Sequence, residues 1–204
     1  MSYYPLFMDI SDRSFLIIGG GAIAEEKVRR LKRFTDRITV IAKESGIRDV
    51  KVILKSYEKS DLALGDYVVA ATGDKTTDAV ISADCRKENK PVNVVDDPVL
   101  SDFIFPAVVK RGDLTVAIST EGKSPAYAGL LRRQIEETVP RDIEEILDEM
   151  GKVRSRVKDG VENQKERKRI YEEMLTKLLE KDDPVEGSLK ASDVIHSILE
   201  RYGI

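Results

Sequence analysis

The 204-residue chain has no tryptophan, a single cysteine and a single histidine, and aromatic residues make up only 6% of it. One cysteine, Cys85, excludes an intrachain disulfide and a cysteine-built metal site, and it fits a reducing cytoplasm. Its expected place is the packed side of a helix. His196 stands alone, so no His/Cys cluster offers a permanent metal site, and a helix-surface or packing role is expected for it. Charge of one sign is not in excess either: 34 Lys and Arg face 37 Asp and Glu, for a formal net charge of −3. No global basic field therefore argues for nucleic acid. No apolar run approaches the ~20 residues of a membrane helix. The first residues, MSYYPLFMDISDRS, lack the basic segment and long apolar stretch of a signal peptide. A soluble, cytoplasmic, globular protein is expected, without nucleic-acid or membrane partners. Its length permits one domain and a smaller second one.

What the chain does have is concentrated at residues 14–30, SFLIIGGGAIAEEKVRR. Phe15 to Ile18 form a short continuous apolar run, as suits a strand buried on both faces of a parallel sheet. Gly19, Gly20 and Gly21 follow, then Ala22, Ile23 and Ala24. Gly19, Gly21 and Ala24 fit the three small positions of G-x-G-x-x-A: a tight turn, room for a pyrophosphate, and close packing of the next helix on the sheet. That helix is predicted from Ala22 to Phe34, with Ile23, Val28 and Leu31 inward. Its free N–H groups and dipole make an anion site. Arg37–Ala42 completes a βαβ unit, the context that distinguishes a dinucleotide loop from a glycine-rich turn without a ligand. Lys43 and Glu44 end this second strand. Glu44 favours the ribose hydroxyls of NAD, Lys43 the extra phosphate of NADP, and an exposed loop is the plain alternative; NAD is the cofactor expected.

Further on, Val50–Tyr57 alternates as a third strand, Asp61–Leu64 reads as a helical turn, and Tyr67–Ala71 as a fourth buried strand. Thr72 and Gly73 stand at its carboxyl end, where open α/β sheets bind ligands. Residues 75–89 read as a helix and Pro91–Val95 as a fifth strand, running into Asp96-Asp97-Pro98. Residues 3–10 are expected to pack as an extended segment at the sheet edge. The alternation implies a Rossmann-like, parallel, doubly wound α/β sheet. Phe103–Val109 and Leu114–Ile118, around the turn signal Gly112-Asp113, read as a hairpin outside it. A hairpin alone is marginal in water, so a homodimer is expected to complete it. Ser124-Pro125 marks a helix start, with the helix reaching Thr138. From Pro140 the chain reads as helical, with apolar stripes at Ile143, Ile146, Leu147 and Met150, at Ile170, Met174, Leu175, Leu178 and Leu179, and at Val194, Ile195, Ile198 and Leu199. The expected division is 1–112 for cofactor binding, 113–139 for dimerisation and 140–204 as a helical domain.

At residues 19–27, GGGAIAEEK, the sequence resembles the precorrin-2 dehydrogenase family, which includes the N-terminal part of siroheme synthase and the dehydrogenase/ferrochelatase proteins. Lys27 and Ile23 match the family's GGG-x-V-A-x-x-K loop, Ile23 standing for valine. Ala71-Thr72, Asn93 to Pro98 with Phe103 to Ala107, and Ile118 to Pro125 with Leu130 to Arg132 resemble three further family segments, in order, over residues 3–138. The resemblance implies a hydride moving from precorrin-2 to NAD+ to give sirohydrochlorin, and in some members Fe2+ insertion. It carries the catalytic aspartate onto Asp96 and NAD contacts onto Ala22, Ile23, Lys43 and Glu44. Thr120 takes the place of a family serine, and Glu121 that of a usual glycine.

Chemistry read from the residues agrees with this. Asp96 follows a buried strand at the ligand end and suits a general base; the alternative is that Asp96 and Asp97 cap a turn before Pro98. Precorrin-2 is rich in carboxylates, and Lys110, Arg111, Lys123, Arg132 and Arg133 are cations that suit them, unless they are ordinary surface charges. Ser124, at a helix start, adds N–H donors, so Thr120, Lys123, Ser124 and Arg132 are the candidate substrate contacts. The competing class is an NAD-sensing Rossmann regulator, which needs neither the aspartate nor the cations.

Overall fold

The computed structural model describes residues 3–179 and 190–204. The expectation of helix from Pro140 onwards extends over 180–189, which lie outside the described residues. The chain divides into two compact units, 1–105 and 106–204.

The first unit is a five-stranded parallel sheet in the order β3-β2-β1-β4-β5, with β1 at Phe15–Ile18, β2 at Ile38–Ala42, β3 at Lys51–Leu54, β4 at Tyr67–Ala70 and β5 at Val92–Val94. The alternation of side chains along β1 explains why the run is apolar throughout. Phe15 and Ile17 face one layer with Ala24, Val28 and Leu31 of α1 (Ala22–Leu31). Leu16 and Ile18 face the other with Ile81 and Cys85 of α2 (Lys75–Lys87) and Leu62 of a 3-10 turn, Lys59–Leu64. Both faces of the strand are thus covered, as a parallel sheet requires. Cys85 is fully buried, and burial pushes its thiol up to about 12, so it acts as a packed apolar residue. The strand order reverses between β1 and β4, and their carboxyl ends open the crevice where such folds bind ligands.

Three local expectations change. Ile23 is exposed, because α1 turns Ala24, Val28 and Leu31 inward and leaves Ile23 on its outer side. Residues 4–8 do not pack at the sheet edge: Tyr4, Leu6, Phe7 and Met8 are exposed, and Ile10 is the first of the segment to join the core. Phe103 and Phe105 are not in the hairpin. Phe103 lies edge-on to Tyr67 and against Phe105, and Tyr67 stacks on Phe15, forming a ring row within the first unit.

In the second unit β6 (Ala107–Arg111) pairs antiparallel with β7 (Leu114–Ile118) across Gly112-Asp113, Gly112 taking φ +50°. The expected boundary at residue 112 falls on this turn, whereas the compact units part at Phe105 and Pro106. The hairpin does have local cover: α3 (Pro125–Thr138) packs on both strands and α4 (Ile143–Gly160) on β7. α4 joins α5 (Gln164–Leu179) and α6 (Ala191–Tyr202) around a core that includes Ile146, Ile170, Met174, Ile195 and Leu199 from the three stripes read from the sequence, together with Val153 and Val157, which those stripes did not include; Leu179, read as a stripe residue, is exposed. His196 lies on the exposed side of α6.

Candidate functional site

The glycine loop shapes one wall of a cleft of about 760 Å³ at the carboxyl ends of β1, β2 and β4. Gly19 takes φ +136°, and a Cβ there would lie 2.1 Å from the Ala71 carbonyl oxygen, so the β1 exit passes directly beside the β4 exit. A Cβ at Gly20 would meet the Glu44 carbonyl at 2.0 Å. Gly21 differs: nothing lies within 4 Å of its Cβ position, and it borders the cleft. It is the N-cap of α1, and no side chain caps that helix start. The first-turn N–H groups therefore keep donors without intrahelical acceptors, next to an open face. That combination fits a pyrophosphate group.

Lys43 and Glu44 follow β2, and both line the same cleft, exposed to it. Thr72 lines it from the end of β4. Ala22 and Ile23 are exposed in the first turn of α1 and are not lining residues; Ala22 borders a separate shallow groove on the outer side of the helix. Five of the seven cofactor candidates, Gly19, Gly21, Lys43, Glu44 and Thr72, thus share one cleft.

Sequence reasoning missed the residues that hold this cleft. Thr72 donates its hydroxyl to the buried Asp78 carboxylate at 2.7 Å, and its N–H reaches the same oxygen at 3.3 Å. Asp74 caps α2 through Thr76 N–H and Thr77 hydroxyl. The signal was present: an aspartate at the start of a helix and a second one turn later, after a strand that ends in threonine. Tyr57 also lines the cleft, its hydroxyl 3.3 Å from Asp84, and burial raises its pKa.

Asp96 sits in the turn after β5, exposed, with φ +59°. Such a conformation is uncommon outside glycine and is most often taken by Asn or Asp. The neighbouring aspartates have separate tasks. Asp97 closes the turn, accepting from the N–H of Val99 at 3.0 Å and of Leu100 at 3.1 Å. Among the described residues the Asp96 carboxylate takes no hydrogen bond or ion pair. The turn-capping alternative therefore belongs to Asp97 alone.

The four substrate candidates lie in the second unit, where most have structural partners. Ser124 caps α3, its hydroxyl accepting from Tyr127 N–H at 3.2 Å, and its own N–H donates to the Thr120 hydroxyl at 3.1 Å. Arg132 pairs with Glu136 one turn on. Lys123 is exposed in the loop. Of the further cations, Arg111 is engaged in the fold: its guanidinium donates to the carbonyls of Glu136 at 2.7 Å, Pro140 at 3.1 Å and Val139, satisfying the carboxyl end of α3. Arg133 is exposed. Glu121 has φ +53° and Gly122 φ +80°. A left-handed residue at 121 explains why glycine is the usual family residue there.

Among the described residues no group of three or more His, Cys, Asp or Glu side chains is placed to hold a metal, and no helix is long and apolar enough to cross a membrane.

Known proteins carry the same architecture. A family described as “Putative NAD(P)-binding” matches residues 6–107, and one described as “Sirohaem biosynthesis protein central” matches residues 111–138. The siroheme synthase of Ruthia magnifica subsp. Calyptogena magnifica is 34% identical over 187 residues, 88% of this chain and 40% of the relative. That of Psychrobacter cryohalolentis is 36% identical over 182 residues, 85% of this chain and 35% of the relative. The chain thus spans about two fifths of the length of the curated relatives it matches. Among solved structures, “SirC, precorrin-2 dehydrogenase” superposes with a TM-score of 0.67 at 24% identity, covering 97% of this chain and 100% of that one.

Proposed function

This chain belongs to the family described as “Putative NAD(P)-binding”, and from that premise we propose that it oxidises precorrin-2 to sirohydrochlorin with NAD+. One observation carries the proposal: the open Gly21 face, the uncapped start of α1, and Lys43, Glu44 and Thr72 converge on one cleft at the point where the strand order reverses. The names of the relatives, siroheme synthase, and of the structural neighbour, a precorrin-2 dehydrogenase, supply the substrate.

NAD+, when bound, supplies the hydride acceptor. The remaining work falls to the chain. α1 N–H groups and the glycine loop receive the pyrophosphate. Glu44 accepts from ribose hydroxyls, and a carboxylate there disfavours the 2′-phosphate of NADP. Thr72, fixed by Asp78, keeps the β4 exit in one conformation. Asp96 takes the proton that balances the reaction: precorrin-2 loses a hydride and a proton, giving sirohydrochlorin, NADH and H+. The Thr120 loop, Lys123, Ser124 and Arg132 remain the proposed contacts to the substrate's acidic side chains, with Lys123 and the α3 N-terminus the least committed to other partners.

Incubation of the protein with precorrin-2 and NAD+ should produce sirohydrochlorin absorbance together with NADH. Tight NAD+ binding with no oxidation would favour the sensor alternative instead. The relatives' name also favours a second reaction, Fe2+ insertion into sirohydrochlorin, in which iron is a substrate and Asp96 the base for the pyrrole protons; a metal-dependent rate above the uncatalysed one is its test. We also infer a cytoplasmic homodimer: although α3 and α4 cover the hairpin, the β6–β7 sheet has only two strands, each with an outer edge that a partner strand would pair; light scattering that showed a monomer at micromolar concentration would remove the dimer.

A further inference from the structure

Lys27 stands on the second turn of α1 and is half-buried. Its ammonium lies 4.8 Å from the centre of the Phe105 ring, and among the described residues no carboxylate comes within 4.0 Å of it and no hydrogen-bond acceptor takes its protons. This is an unusual place for a lysine. The other half-buried lysine near the cleft, Lys55, pairs with both Glu58 and Asp61. Removing a cation from water without giving it an anion costs free energy, and a ring face returns only part of it. Burial accordingly lowers the Lys27 pKa, an effect that the Asp96 and Glu26 charges oppose and Arg30 reinforces.

The surroundings say what is missing. Lys27 follows the glycine loop by six residues, on the helix whose N-terminus faces the cofactor cleft. Val95, the residue before Asp96, packs in one apolar layer with Val28 of α1 and Phe105, so the turn that carries Asp96, the proposed base, leaves the sheet from the layer that α1 covers, and its charge acts on the ammonium. Phe105 offers the ring on which the ammonium rests. A cation, an uncommitted carboxylate and an aromatic face are the groups that a planar, acidic macrocycle engages.

We propose that the Lys27 ammonium is the docking point for one carboxylate side chain of the substrate, set beside Asp96 so that the acidic rim of the macrocycle fixes which carbon meets the base. This rests on the function proposed above and names a residue that determines specificity. It explains why the lysine stands without an anion: that anion arrives with the substrate, and the charge-assisted pair forms in a partly desolvated place where it is strong.

The test compares Lys27→Met and Lys27→Arg with the unaltered protein. Methionine keeps the stem against Phe105 and removes the charge. Its melting temperature should stay level or rise, since an unpaired, half-buried cation has been deleted. Its KM for precorrin-2 should rise about tenfold to a hundredfold, with the Kd for NAD+ unchanged. Arginine should recover most of the KM. An unchanged KM in Lys27→Met overturns the proposal; so does an equal rise in the Kd for NAD+, which would give Lys27 to the cofactor, and so does a lower melting temperature with KM unchanged, which would make it structural. If the unaltered protein fails to oxidise precorrin-2, the function proposal falls separately. Binding of uroporphyrin, a porphyrin polycarboxylate, followed by its own fluorescence anisotropy then decides: weaker binding by Lys27→Met upholds the anion site, and equal binding overturns it.

Discussion

Gly21→Asp should lose NAD+ binding while the protein stays folded. Gly21 has φ −84° and ψ −176°, extended backbone that any residue adopts, and a Cβ there meets nothing within 4 Å. It is also the N-cap of α1, a position at which aspartate is better than glycine by a few tenths of a kcal/mol. The melting temperature should therefore be unchanged or slightly higher. The side chain enters the open face that receives the pyrophosphate in the proposed function. Two charges about 4 Å apart at an effective dielectric of about 20 repel by about 4 kcal/mol, which is about a thousandfold in affinity. Gly21→Ser, which caps without charge, should lose much less. Gly19→Ala is the contrasting case: at φ +136°, with the Ala71 carbonyl 2.1 Å from the new methyl, it should compromise the fold itself. Calorimetry settles the matter. If Gly21→Asp binds NAD+ as the unaltered protein does, the glycine loop is not the cofactor site.

The sheet was legible in the sequence because parallel strands covered on both faces announce themselves as unbroken apolar runs, as in Phe15–Ile18 and Tyr67–Ala70, separated by helical spacing. The helices of the second unit were legible for the complementary reason: Ile146 and Met150, or Ile170, Met174 and Leu178, recur at helical period against charged neighbours. Segments without a period were misplaced. Tyr4 to Met8 and Phe103 to Phe105 look alike in composition, yet the first is exposed and the second forms a ring row with Phe15 and Tyr67. Nothing local tells these apart; the partners are tens of residues away in sequence. At the site, the glycine loop was readable because its chemistry is the backbone's. Side-chain commitments were not. Arg111 looked like a ligand contact until the carboxyl end of α3 claimed it. Asp78, which fixes Thr72, and Lys27, which lacks an anion, are distinguished from other charged residues only by what surrounds them.

Asp96→Asn tests the chemistry in the same way that Gly21→Asp tests the cofactor. The left-handed conformation at φ +59° is one that Asn tolerates as well as Asp, so the turn after β5 should keep its shape. The Asp96 carboxylate makes no hydrogen bond to the described residues, and its removal leaves no protein donor unsatisfied. Asp97 continues to hold Val99 and Leu100. What disappears is the base. General-base assistance is typically worth about 10²–10⁴-fold, so sirohydrochlorin formation should slow by a factor in that range. The Kd for NAD+ should not move, because Asp96 is not among the residues lining the cleft. Asp97→Ala should behave in reverse. Two N–H groups lose their acceptor, stability should fall by about 1 kcal/mol, and the rate per folded molecule should change little. The two neighbours thus make each other's control. A general destabilisation of the turn would lower stability in both variants, whereas a base at Asp96 lowers the rate in one and stability in the other. If Asp96→Asn oxidises precorrin-2 at close to the unaltered rate, proton removal belongs to another group or to water, and the uncommitted carboxylate beside Lys27 needs another explanation.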